Sequence, residues 1–106
     1  MGSSPIDNAK LRQEILSDGE EDYRGLYEIV WSLNSKYPDL SRDLKIAAAR
    51  AVVAELLKEG QVALFRTNWA SNRYDPVPQD AALGAIGTPS AWENPSDQPY
   101  FCYAAA

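Results

Sequence analysis

A chain of 106 residues, 45% hydrophobic and 24% charged, carries enough apolar content for one domain with one modest core. It has a net charge of −5, no histidine and a single cysteine, which argues against zinc sites, histidine-based catalysis and an internal disulfide. The charge is uneven: residues 1–22 hold −4, residues 23–75 hold +2 and residues 76–106 hold −3, a distribution that argues against strong nonspecific DNA binding.

No apolar run approaches the ~20 residues of a membrane helix, so no membrane contact is expected. Met1 to Asp7 lacks the basic start and apolar stretch of a secretory leader. The lone Cys102 fits a reducing, cytoplasmic setting. Residues 1–5 read as a flexible start and residues 6–106 as a single domain.

Asp7 is placed to cap a first helix running to about Leu16, with Leu11 and Ile15 on one face. Ser17 to Asp22 reads as a hinge, with Asp18 and Glu21 at capping-box spacing for the next helix. The acids there lack the alternating spacing of a calcium loop, so no metal is expected. A second helix is predicted from Glu21 to Lys36. Tyr23, Leu26, Tyr27, Val30, Leu33 and Tyr37 recur at helical spacing, Ile29 widens the stripe, and Trp31 follows Tyr27 by four. That stripe predicts core; a partner-binding face is the lesser reading, since Tyr and Trp also favour interfaces. Pro38 ends the helix.

Ser41 or Asp39 should cap a third helix running to Glu59. Its buried face would be Ile46, Ala49, Val52, Val53, Leu56 and Leu57. Gly60 suits a left-handed stop. Gln61 to Trp69 alternates with strand period, residues 70–73 have turn chemistry, and Tyr74 to Val77 reads as a second strand confined to an edge by Pro76 and Pro78. Gln79 to Ile86 reads as a short helix and Pro89 to Glu93 as one more turn. Tyr100 to Tyr103 is a final strand with Tyr100 and Cys102 on one face, Phe101 and Tyr103 on the other, returning to the hairpin. Cys102 should be buried and inert.

The segment ARAVVAELLKEGQVALFR resembles the recognition helix and first wing strand of the winged-helix superfamily, within a likeness spanning about residues 22–78. The expected fold is therefore α+β and winged-helix-like: three N-terminal helices, a β-hairpin wing and a C-terminal strand. The resemblance implies a regulator of nucleic acid or protein. For nucleic acid, the candidate contacts are Arg42, Lys45, Arg50, Arg66 and Arg73. The outward side of the third helix, however, offers mainly Ala47, Ala51, Ala54 and Glu55, which donate nothing to base edges.

The chain carries no glycine-rich phosphate loop, paired-cysteine motif or nucleophile elbow, and no motif brings Asp22, Glu28 and Asp75 together as catalytic acids. The leading expectation is a small non-enzymatic adaptor or regulatory protein, without a cofactor, that binds another protein. Its surface would be Trp69, Asn72, Arg73 and Tyr74, extended by Trp92. For Trp92, a role in pinning the connector is the stronger reading. The alternative is a DNA-binding transcriptional regulator acting as a homodimer.

Overall fold

The computed structural model describes residues 6–68, 73–94 and 99–106. The expected flexible start at residues 1–5 lies outside them. Nine elements follow in order: α1 (Asn8–Glu21), β1 (Arg24–Gly25), α2 (Leu26–Lys36), α3 (Arg42–Lys58), β2 (Val62–Thr67), β3 (Asp75–Val77), α4 (Gln79–Ile86), a 3-10 turn (Pro89–Trp92) and β4 (Tyr100–Ala105). The architecture is mixed α+β, with an antiparallel four-stranded sheet in the order β1-β4-β2-β3. Among the described residues no helix is long and apolar enough to cross a membrane.

α1 begins as its sequence suggests, with the Asp7 carboxylate accepting from the Lys10 N–H at 3.1 Å. It does not stop at Leu16. Leu11, Ile15 and Gly19 recur every four residues and are all buried, so one face runs unbroken through the supposed hinge. Gly19 lets β4 approach closely: a Cβ there would lie 3.0 Å from the Tyr103 ring and 3.2 Å from the Ala105 nitrogen. Asp18 and Glu21 are thus part of the last turns of α1, not a capping box for α2.

α2 starts later than predicted, at Leu26. Arg24 and Gly25 are drawn into strand pairing with Tyr103 and Cys102, partners about eighty residues away that local periodicity cannot reveal. The Glu28 carboxylate then accepts from the Gly25 N–H at 2.7 Å and closes the helix start. Tyr23 is consequently outside the helix and 38% exposed, not core. Leu26, Tyr27, Ile29, Val30 and Leu33 are buried as the spacing predicts.

α3 is the helix around which the other helices pack, touching α1, α2, α4 and β2. Ser41 caps it through the Leu44 N–H, and its six predicted core residues are all buried. The Arg12 guanidinium on α1 pairs with Glu55 on α3 and with Glu59 at its C-cap, holding Glu59 at 2.5 Å. At the far end Gly60 adopts φ +73°, with the Gly60 N–H on the Leu57 carbonyl and the Gln61 N–H on the Leu56 carbonyl. Those two bonds are a Schellman stop, which turns the chain directly into β2.

The register defines two faces of the sheet. Val62, Leu64 and Tyr103 point toward the helices and join the main core, where Val77 and Phe101 pack against them. Phe65, Cys102 and Tyr100 point the other way. β3 is an edge strand, and Pro76 in it removes one N–H from the open edge. β4, last in sequence, is central in the sheet.

Replacing Gly60 by alanine isolates the cost of the left-handed turn, because a Cβ there would touch nothing within 4 Å. The expected loss is ~1–2 kcal/mol, seen as a lower midpoint in thermal unfolding with unchanged far-ultraviolet circular dichroism.

Candidate functional site

The side chains on the outer face of the sheet form an aromatic cluster. Tyr23 stacks on Tyr74, with centroids 3.9 Å apart and planes 9° from parallel. The edge of the same pairing meets Phe65 at 5.1 Å in a T-shaped contact with Tyr23. Tyr27 makes T-shaped contacts with Trp31 at 4.9 Å and Tyr100 at 5.7 Å. The T-shaped contacts have the edge-to-face geometry that ring quadrupoles favour, while Tyr23 and Tyr74 form a close parallel stack. β2 supplies Phe65, β4 supplies Tyr100, α2 supplies Tyr27 and Trp31, and the segments flanking β1 and β3 supply Tyr23 and Tyr74.

One residue makes this arrangement possible. Gly25 has an ordinary extended conformation, φ −67° and ψ 145°, that any residue could adopt. It must be glycine because the Tyr27 ring lies over it: a Cβ would sit 2.3 Å from a ring carbon. The ring in turn closes over β4, and Cys102 is only 2% exposed although it faces away from the helical core. Burial, reinforced by the nearby charge of Glu28 and Asp22, pushes the Cys102 thiol up to about 12. Burial and Glu28 likewise push the Tyr27 phenol up to about 12 and raise that of Tyr100. Tyr103, on the inner face, is raised mainly by burial.

The cluster is half-covered. Trp31 is 53% exposed, and Tyr23 and Tyr74 are 38% exposed. Two carboxylates flank it, each held by the backbone of the same segment: Asp22 accepts from the Tyr23 N–H at 2.7 Å, and Glu28 accepts from Gly25. Asp75 does not join them, since it pairs in register with Arg66 on the other face. Among the described residues no three potential ligands gather where they could hold a metal ion.

The residues singled out from sequence are scattered by the fold. Tyr74 lies in the cluster. Trp69 and Asn72 lie outside the described residues. Arg73 is exposed, with Asp75 at 3.9 Å. Trp92 is not a surface residue: it is 1% exposed, and its indole N–H donates to the Ile86 carbonyl at 2.8 Å. Arg50 donates to the same carbonyl at 3.0 Å, so both residues close the C-terminal end of α4. Lys45 is buried, its ammonium on the Asn34 side-chain oxygen at 2.9 Å. Both basic residues are thereby occupied within the fold. Arg42 remains exposed at the start of α3, and Arg66 is exposed on β2.

Tyr23, Tyr27 and Trp31 were legible as an aromatic series at helical spacing. Their meeting with Phe65, Tyr74 and Tyr100 was not, because it depends on strand pairing across the whole chain. No family model, no curated protein and no solved structure matches this chain.

Gly25→Ala should displace the Tyr27 ring and cost ~1–3 kcal/mol, the range for overpacking a tight site. Its signature is a changed near-ultraviolet circular dichroism spectrum, which Gly60→Ala should leave intact. Alkaline pH provides a second check. The folded chain keeps protons on Cys102, Tyr27, Tyr100 and Tyr103 that the unfolded chain loses, starting at the ordinary values of 9.0 for the thiol and 10.0 for the phenols. Stability should therefore fall as pH rises from 9.0 toward about 12. Thermal midpoints measured across that window should decline, and Cys102→Ala should flatten the first part of the decline. The native thiol should stay unreactive to a disulfide reagent at about pH 8 and react once guanidinium unfolds the chain.

Proposed function

We propose that this chain is a small non-enzymatic adaptor or regulatory protein that binds another protein through the outer face of its sheet. The observation that carries the reading is the half-open set of aromatic rings, with Tyr23 and Tyr74 presented beside Phe65 on the outer face of the sheet and Trp31 exposed on α2 against Tyr27. Tyrosine and tryptophan offer large contact area and are enriched at binding hot spots. Rings already stacked against one another lose little freedom on docking, which lowers the entropic cost of association. This surface keeps Tyr74 from the hairpin and replaces Trp92 with Trp31 and Tyr23.

The description winged-helix-like is part of the proposal. It is supported by the succession of three helices, a glycine stop at Gly60 and a hairpin. β4 returns to the hairpin by pairing with β2, and the short β1 is an element the sequence did not reveal.

The DNA-binding reading, with a homodimer as its working form, retains Arg42, Arg66 and Arg73. It loses Lys45 and Arg50 to contacts within the fold, and the exposed stripe of α3, with Leu44, Ala47, Ala51 and Glu55, offers no donor to base edges. The aromatic face is flanked by acids that would repel phosphate.

A comparison of Trp31→Ala/Tyr74→Ala with the parent chain tests the proposal. Both positions are exposed, so the variant should keep its far-ultraviolet circular dichroism spectrum while losing roughly tenfold or more in affinity for a purified partner recovered by cross-linking. Unchanged partner affinity would remove the aromatic face as the site. DNA fragments retained at physiological salt, and released by Arg42→Ala, Arg66→Ala or Arg73→Ala, would put the regulator reading in its place.

A further inference from the structure

At Trp31, α1 and α2, with Arg24 of β1 and Tyr103 of β4, border a half-open cavity of about 210 Å3. This is below the roughly 300–1,000 Å3 of small-molecule sites and suits a single long side chain. Ile15 and Ile29 contribute apolar wall, and Trp31 lines the cavity from α2. Trp31 also leans on Tyr27, so the cavity and the aromatic face share a residue and form one continuous surface.

The charges around the cavity favour a cation. Glu14, Asp18 and Glu28 line it against one guanidinium, Arg24. Glu14 is paired with Lys36 across the helices. Glu28 accepts from Gly25 and lies 3.8 Å from Arg24. Arg24 is further held by Glu21 at 3.5 Å. The Asp18 carboxylate has no ion-pair or hydrogen-bond partner among the described residues. The apolar wall of Ile15 and Ile29 favours the methylene stem of an arginine or lysine side chain over a free cation.

We infer that this cavity receives an arginine or lysine side chain from a protein segment docked on the aromatic face, a step that rests on the docking reading above. The stem of that side chain lies along Ile15 and Ile29, its charged head reaches Asp18 and Glu28, and the Trp31 ring covers it. The partner is therefore basic at this contact, complementary to the net charge of −5.

Three blocked peptides identify the contact: acetyl-Leu-Arg-Leu-amide and its counterparts with glutamine and glutamate at the centre. Each is titrated into the 15N-labelled chain while backbone and indole N–H shifts are followed. The arginine peptide should produce saturable shifts at Asp18, Arg24, Glu28 and the Trp31 indole. Asp18→Asn and Trp31→Ala should each weaken it by roughly fivefold. Glu55→Gln, on the α1–α3 side, should leave it unchanged and so controls for nonspecific attraction to an acidic protein. Equal binding of the glutamine peptide would overturn the charged contact yet keep an apolar docking face. Preference for the glutamate peptide, or no binding by any, would overturn the inference. If the Trp31→Ala/Tyr74→Ala variant still loses its cross-linked partner, the docking proposal survives that failure.

Discussion

Six residues of β4 pair with six of β2, from Val62 with Ala105 to Thr67 with Tyr100, and both faces of the sheet follow from that register. It places Leu64 and Tyr103 together under the helices, and Phe65 and Cys102 together on the far side. A slip of one residue would exchange the two sets. β4 also supplies the partners that pull Arg24 and Gly25 out of helical conformation. The start of α2, the position of Tyr23 and the seat of Tyr27 over Gly25 all depend on a strand from the opposite end of the chain. α1 then packs on the same strand through Gly19.

That dependence links stability to the proposed surface. Tyr27 and Tyr100 lie close to the buried Cys102, so the proposed docking surface is also a second, smaller core. Tyr27 is buried and Trp31 largely open, giving a graded transition from packed interior to available contact. Such a surface is organised before any partner arrives. Asp22 and Glu28 add negative charge at its border, and each is held by a backbone N–H instead of swinging freely. The same Glu28 serves as helix start, ion-pair partner and neighbour of the cavity, which ties the local fold of residues 22–28 to the chemistry of the face.

The basic residues show why side-chain type alone is a poor guide to a binding surface. Lys45, Arg50 and Arg73 look equivalent along the chain. In the fold, Lys45 is buried on Asn34, Arg50 closes the end of α4 beside Trp92, and Arg73 stays exposed on the hairpin. A positive charge can be spent on satisfying a carbonyl or amide as readily as on a ligand.

The amino-acid sequence by itself determined the elements whose causes are local. The buried stripe of α3, its Ser41 cap, the Gly60 stop, the proline-limited β3 edge and the short α4 all follow from helical or strand periodicity, capping chemistry and backbone preference. The alternation of β4 was also legible, because side chains change face with every residue. Tertiary structure alone decided where α1 ends, that residues 24 and 25 form a strand, which carbonyl receives the Trp92 indole N–H, and that aromatic rings from distant segments stack on one another. The physical reason is common to all four. Each depends on a contact between distant segments, Gly19 with β4, β1 with β4, and Tyr23 with Phe65 and Tyr74, or on which of two neighbouring carbonyl and apolar environments captures a side chain. Those contacts override local propensity, and they form only when the last strand takes its place in the middle of the sheet.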